Sequence, residues 1–121
     1  MITAEIERKA ALEVDVEVPS RSIVVVRLCG AADADQVDDL MQQLKSAVTQ
    51  NPHFVILDLA RLNFLSTAAL DCLEEFRQEQ CQGGGEVWLA GPKPAVWLAV
   101  HAAGLNGRFH VRDSVAQVFN C

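Results

Sequence analysis

Nowhere in the 121 residues is there an apolar stretch approaching the roughly 18 uncharged residues of a membrane-crossing helix. The opening Met1-Ile2-Thr3-Ala4-Glu5-Ile6-Glu7-Arg8 also lacks the basic-then-apolar order of a secretory leader. These absences predict a cytoplasmic protein with no membrane insertion. A basic patch is missing too: 10 Lys and Arg stand against 16 Asp and Glu, scattered from Arg8 to Arg112 with only Arg8 and Lys9 adjacent, for a formal charge of −6. Nucleic-acid binding needs clustered cations to displace counterions from phosphates, so no nucleic acid is expected as a partner. A net negative surface suits docking to a basic protein instead.

The four cysteines, at 29, 72, 81 and 121, form no C-x-x-C, and His53, His101 and His110 stand at no metal-ligand or triad spacing. Cys72 and Cys81 fall on one predicted helix, pointing to opposite sides and about 13 Å apart along its axis. They are expected to be reduced packing residues, and no cofactor or metal is expected. The triplet Gly83-Gly84-Gly85 invites a phosphate-loop reading, but such a loop follows a strand and opens a helix. These glycines end a helical pattern and lead into a strand at 86–90, so they are a C-cap and turn. With no nucleophile beside a base, no metal set and no phosphate loop, the chain is not expected to be an enzyme.

What is present is an ordinary globular balance, 50% apolar and 21% charged, long enough to bury the core of one domain. The most apolar run, Phe54-Val55-Ile56-Leu57, ends at Asp58 and suits a central strand covered on both faces. Before it, Leu12, Val14, Val16 and Val18 alternate with Glu13, Asp15 and Glu17, the pattern of a half-exposed edge strand. A turn at Pro19-Ser20-Arg21 leads into a second apolar strand at 22–29, ended by Gly30, and so implies an antiparallel hairpin. Asp33 or Asp35 then caps a helix whose stripe is Val37, Leu40, Met41, Leu44 and Val48.

After the central strand, Phe64-Leu65 is followed by Ser66 and Thr67, and then by Ala68, Ala69 and Leu70 opening a helix. That helix buries Ala69, Leu73 and Phe76, turns Asp71, Glu74, Glu75 and Gln78 to solvent, and carries Leu70 on its flank. A hydroxyl at a helix entrance either caps orphan N–H groups or, because the same amides favour negative charge, serves as a phosphoacceptor. Pro92 and Pro94 open a helix through Val96, Ala99, Val100 and Ala103, ended by Gly104 with Leu105 packed behind it. A short strand at 109–111 and a terminal helix at 114–119 follow. The fold class is therefore α/β: a single mixed β-sheet with an antiparallel edge hairpin and parallel strands joined by helices. Loops at 30–35, 59–67 and 91–94 are expected to gather at one end of the sheet, where open α/β sheets hold their sites.

The run Asp58-Leu59-Ala60-Arg61-Leu62-Asn63-Phe64-Leu65-Ser66-Thr67-Ala68-Ala69-Leu70 resembles the signature of STAS domains, the bacterial anti-sigma factor antagonists, which read D-L-S-x-V-x-F-[IM]-D-S-S-G-L. The resemblance spans about residues 12–119, with Gly30-Ala31-Ala32-Asp33 in place of G-E-L-D. It implies a lead-in at 1–10 and a STAS domain at 11–121. It also implies an antagonist that binds an anti-sigma factor with ATP-dependent kinase activity and is switched by phosphorylation at Thr67, which falls on the family's acceptor. Ser66 stands in place of the family Asp, and Ala68 and Ala69 replace its second Ser and its Gly. The expected partner surface is Asp33, Leu65, Ser66, Thr67, Ala68, Ala69 and Leu70. The alternative is a non-phosphorylated STAS scaffold in a signalling assembly, or a subunit of a lipid transporter.

Overall fold

The run at 54–57 becomes the middle of a five-stranded sheet, ordered β1-β2-β3-β4-β5. In the computed structural model residues 12–119 are described, so the expected lead-in at 1–10 and Cys121 lie outside the described residues. Strand β1 (Glu13–Ser20) pairs antiparallel with β2 (Ile23–Ala32). Strands β3 (Phe54–Leu65), β4 (Glu86–Ala90) and β5 (His110–Arg112) then add in parallel. The crossovers are α1 (Val37–Ala47), entered through a 3-10 turn (Ala34–Gln36), α2 (Thr67–Gln82) and α3 (Pro94–Ala102); α4 (Val115–Phe119) ends the described chain. This is the mixed sheet with an antiparallel edge pair that the hydrophobic patterning predicts.

The alternation of side chains divides the sheet into two unlike faces. Val24, Val26 and Leu28 of β2, Val55, Leu57 and Leu59 of β3, and Val87 and Leu89 of β4 share one core with Leu40 and Leu44 of α1, Leu73 and Phe76 of α2, and Val96 and Val100 of α3. On the other face Val25, Ile56, Trp88 and Ala90 form a smaller cluster, against which Val115 and Val118 of α4 pack. Beyond α4 that face is charged. Arg27 there reaches Glu17 at 2.7 Å, Asp58 at 3.5 Å and Asp15 at 3.8 Å, tying three strands together.

Several local expectations need correction. Strand β3 does not stop at Asp58 but continues through 59–65, the segment expected to be a loop. Relative to β2 it carries two extra residues, one between the Arg27↔Asp58 and Cys29↔Arg61 pairs and one between Gly30↔Leu62 and Ala31↔Phe64. Each bulge resets the alternation, so the inward residues run Leu57, Leu59, Leu62, Leu65, stepping from every second to every third position. Gly30 does not end β2; its φ of +99°, open to glycine, lets the strand pass the bulge and run on to Ala32. Edge residues Val16 and Val18 are exposed, because only the first half of β1 lies over the core. Leu70 is buried rather than on a flank, and Cys72 joins it in the core. At the other end of α2 the glycine triplet does form the cap, with Gly84 at φ +89° and Gly85 N–H donating to Gln80 O at 2.8 Å.

Candidate functional site

The two bulges decide how the end of β3 faces the solvent. Because β4 last pairs at Asp58↔Ala90, residues beyond it are bonded to β2 alone, and a two-stranded ribbon projects from the sheet. Its tip is closed by Ser66 N–H donating to Ala32 O at 2.9 Å, which sets the entrance of α2 beside the 3-10 turn. Within that turn the Asp33 carboxylate accepts from the N–H of Ala34 at 2.7 Å and from that of Gln36. Gln36 Oε1 in return accepts from Asp33 N–H at 2.9 Å. This reciprocal pair makes Asp33, not Asp35, the cap.

Of the two hydroxyls, Ser66 is the cap of α2: its Oγ accepts from Ala69 N–H at 3.1 Å, and the residue is half-buried. Thr67 occupies the first helical position, is exposed, and its hydroxyl makes no side-chain hydrogen bond among the described residues. The two roles open to a hydroxyl at a helix entrance are thus divided between neighbours. Ala68 is half-buried. Leu65, Ala69 and Leu70 are 5%, 0% and 2% exposed, so of the expected partner surface these three seat the helix end from beneath rather than present side chains outward.

Two neighbours of the site escaped the sequence reading. Phe64 is 49% exposed, although it sits in an apolar pair beside buried Leu65. Its register opposite Ala31, just past the second bulge, is what turns it outward, and only the pairing could reveal that. Leu65, Thr67 and Leu70 also line a shallow cavity of about 300 Å³ with Ala99, Ala102 and Ala103 of α3. The small, uncharged face of α3 was the available signal for this cavity. At the base of the ribbon Lys93 Nζ donates to Asn63 Oδ1 at 2.6 Å, joining the exits of β3 and β4. The chain ends at 30–35 and 91–94 therefore do meet this end of the sheet.

On the helix side of the site the charge has one sign, while Arg61 and Lys93 lie on the ribbon side. Asp33, Asp35, Asp38, Asp39, Asp71 and Glu75 are exposed on the packed pair α1 and α2 and the turn before them. No Lys or Arg occurs between Arg27 and Lys45 or between Arg61 and Arg77. Further along α2, Glu74 accepts from Arg77 Nε and Nη2, both at 2.8 Å, and from Arg108 at 3.2 Å, which holds its carboxyl below the usual range. It is thus a fixed, half-buried group and not part of the solvated face expected of it. Burial, reinforced by Glu75 and Asp38, pushes the Cys72 thiol up to about 11, leaving it protonated and unreactive near neutrality. Among the described residues no three His, Cys, Asp or Glu side chains converge to hold a metal ion, and no helix is long and apolar enough to cross a membrane.

A sequence model described as the STAS domain matches residues 13–118. No curated protein matches the chain. Among solved structures, the anti-sigma factor antagonist SpoIIAA in its unphosphorylated form is 21% identical, with a TM-score of 0.77 over 89% of this chain and 94% of its own. An anti-sigma factor antagonist from Mycobacterium paratuberculosis is 20% identical, with a TM-score of 0.81 over 93% of this chain and 94% of its own. The murine anion transporter Slc26a9 is 14% identical, with a TM-score of 0.78 over 95% of this chain but 23% of the transporter. At these identities the structural likenesses speak for the fold, and the sequence match covers nearly every described residue. The chain belongs to the STAS domain family.

Proposed function

We propose that this protein is an anti-sigma factor antagonist that binds an anti-sigma factor with ATP-dependent kinase activity through the surface around Thr67 and Asp33, and that phosphorylation of Thr67 releases it. The observation that carries this reading is the division of labour at the mouth of α2. Ser66 takes the capping bond, and Thr67 is left exposed and unengaged at the helix N-terminus. The neighbouring helix amides tolerate a phosphate within the free domain. The surrounding carboxylates favour a basic docking face, and a new dianion would alter that match.

Phosphorylation adds roughly −1.5 to −2 charges and three acceptor oxygens. A partner packed closely on Thr67 and Ala68 would have to desolvate that group, and a mismatch of about 3 kcal/mol already exceeds a hundredfold in affinity. Thr67→Asp should therefore weaken partner binding, while Thr67→Ala should bind and escape regulation. The direct test is phosphosite mapping and intact mass after reaction with the cognate anti-sigma factor and ATP. Phosphate absent from Thr67, or carried by Ser66 alone, rejects the assignment.

A second reading is favoured by one feature, Ser66 and the pair Ala68-Ala69 standing where the family places Asp and Ser-Gly. A domain that never accepts phosphate would act as a scaffold in a signalling assembly or as a subunit of a lipid transporter. Normal partner binding with no phosphate transfer identifies that case.

A further inference from the structure

On the sheet face opposite Thr67, a pocket of about 190 Å³ opens between β2, β3, β4 and α4, lined by Ile23, Phe54, Ile56, Trp88, Val118 and Phe119. Every lining side chain is apolar. The wall at Trp88 is held from outside the pocket: its Nε1–H donates to Glu86 Oε1 at 3.0 Å, His110 stacks on the indole with centroids 4.6 Å apart, and the Arg112 guanidinium lies 4.8 Å from the ring. His53 braces Phe54 edge-on at 4.4 Å. Two aromatic walls are thus fixed by neighbours that do not enter the pocket, while the cover is α4, a helix of five residues. The larger trough on the same face differs in kind, because it is lined by charged side chains, among which Arg27 is already engaged by Glu17 and Asp58.

We propose that this pocket is a binding site for one uncharged, ring-sized apolar group, a monocyclic aromatic compound. Size decides the class. Apolar cavities of about 150 Å³ take up benzene, so a volume of about 190 Å³ accommodates one substituted ring, whereas most of a long acyl chain would extend out of the pocket into solvent. Preformed walls mean that little ordering opposes binding. A wall that is mostly apolar, with no charged side chain in it, disfavours a charged ligand, whose desolvation would go largely unanswered.

Trp88 lines the pocket, whereas the other tryptophan, Trp97, packs on the opposite core, so the protein carries its own probe and reference. The experiment is titration of the isotopically labelled full chain with toluene, followed by NMR, with benzoate in parallel. The expected result is a saturable shift of the Trp88 indole N–H with Trp97 stationary, at least tenfold weaker binding of benzoate, and a saturable rise in unfolding temperature with toluene. Val118→Phe, which fills the pocket from α4, should weaken toluene binding at least tenfold. Shifts that grow linearly without saturation, equal shifts at both tryptophans, or benzoate binding as tightly as toluene would overturn the proposal. So would a Trp88 shift that depends on protein concentration instead of toluene, which would mean that a second copy fills the pocket. If Val118→Phe does not fold, the wild-type saturation and the toluene-to-benzoate ratio still decide the matter.

Discussion

At the mouth of α2 the Ser66 hydroxyl lies 3.1 Å from Ala69 N–H while that of Thr67 faces solvent, so substitutions at these adjacent positions should separate stability from recognition. Removing the cap in Ser66→Ala should destabilise the domain by about 1 kcal/mol, read as a lower urea midpoint with an unchanged slope. Thr67→Ala should leave that midpoint within about 0.5 kcal/mol, as exposed substitutions usually do. The pair of hydroxyls was visible in the sequence. Which of them caps was not, because that depends on the backbone turning at Ser66. Glu74 shows the same limit over a longer range, since Arg108, a partner 34 residues away, cannot be found from helical spacing. Its folded-state pKa is depressed, first by the bonds from Arg77, so its contribution is present above the unfolded carboxylate range and lost as pH falls through the folded value. Glu74→Gln should thus lower stability at pH 7, and the gap to wild type should narrow as pH falls below about 4. A gap that stays constant with pH would show that the network acts by packing and not by charge.

Among the elements, those with one uninterrupted period were legible and those with broken register were not. The stripe of α1 and the apolar start of β3 appear as expected, with Leu40, Leu44, Val55, Ile56 and Leu57 all buried. The second half of β3 hid its strand character because two bulges shift its inward residues from every second to every third position. The same shifts exposed Phe64 and placed it at the candidate site, so the part of the chain hardest to read lies next to the residues most open to a partner. Phe76 tests the helix phase: it is fully buried against the central strands, and Phe76→Ala should cost about 3–5 kcal/mol in chemical denaturation. A loss under about 1 kcal/mol would mean that α2 presents another face to the sheet.

For the whole molecule, the order of the strands predicts a gradient of stability that ends at the candidate site. Residues 54–58 of β3 are paired on both sides, to β2 and to β4, and lie between the two cores. Residues 61–65 of the same strand pair with β2 alone, and the ribbon they form carries exposed Arg61, Asn63 and Phe64. Breaking the first segment separates the main core, so its amides should exchange with solvent only on global unfolding. Opening the ribbon tip disturbs fewer buried contacts, so the amides of Asn63 and Phe64 should exchange by local fluctuation, at least tenfold faster than those of Val55, Ile56 and Leu57. Sites that rearrange on binding tend to come from such low-stability segments, and a partner seated on Thr67, Ala68 and Phe64 should slow exchange at the tip while leaving the central segment unchanged. Native-state hydrogen exchange with and without the anti-sigma factor measures both parts. Equal protection along β3 in the free protein would mean that the ribbon is held as firmly as the centre, and slowing confined to β1 or β5 would place the partner elsewhere on the domain.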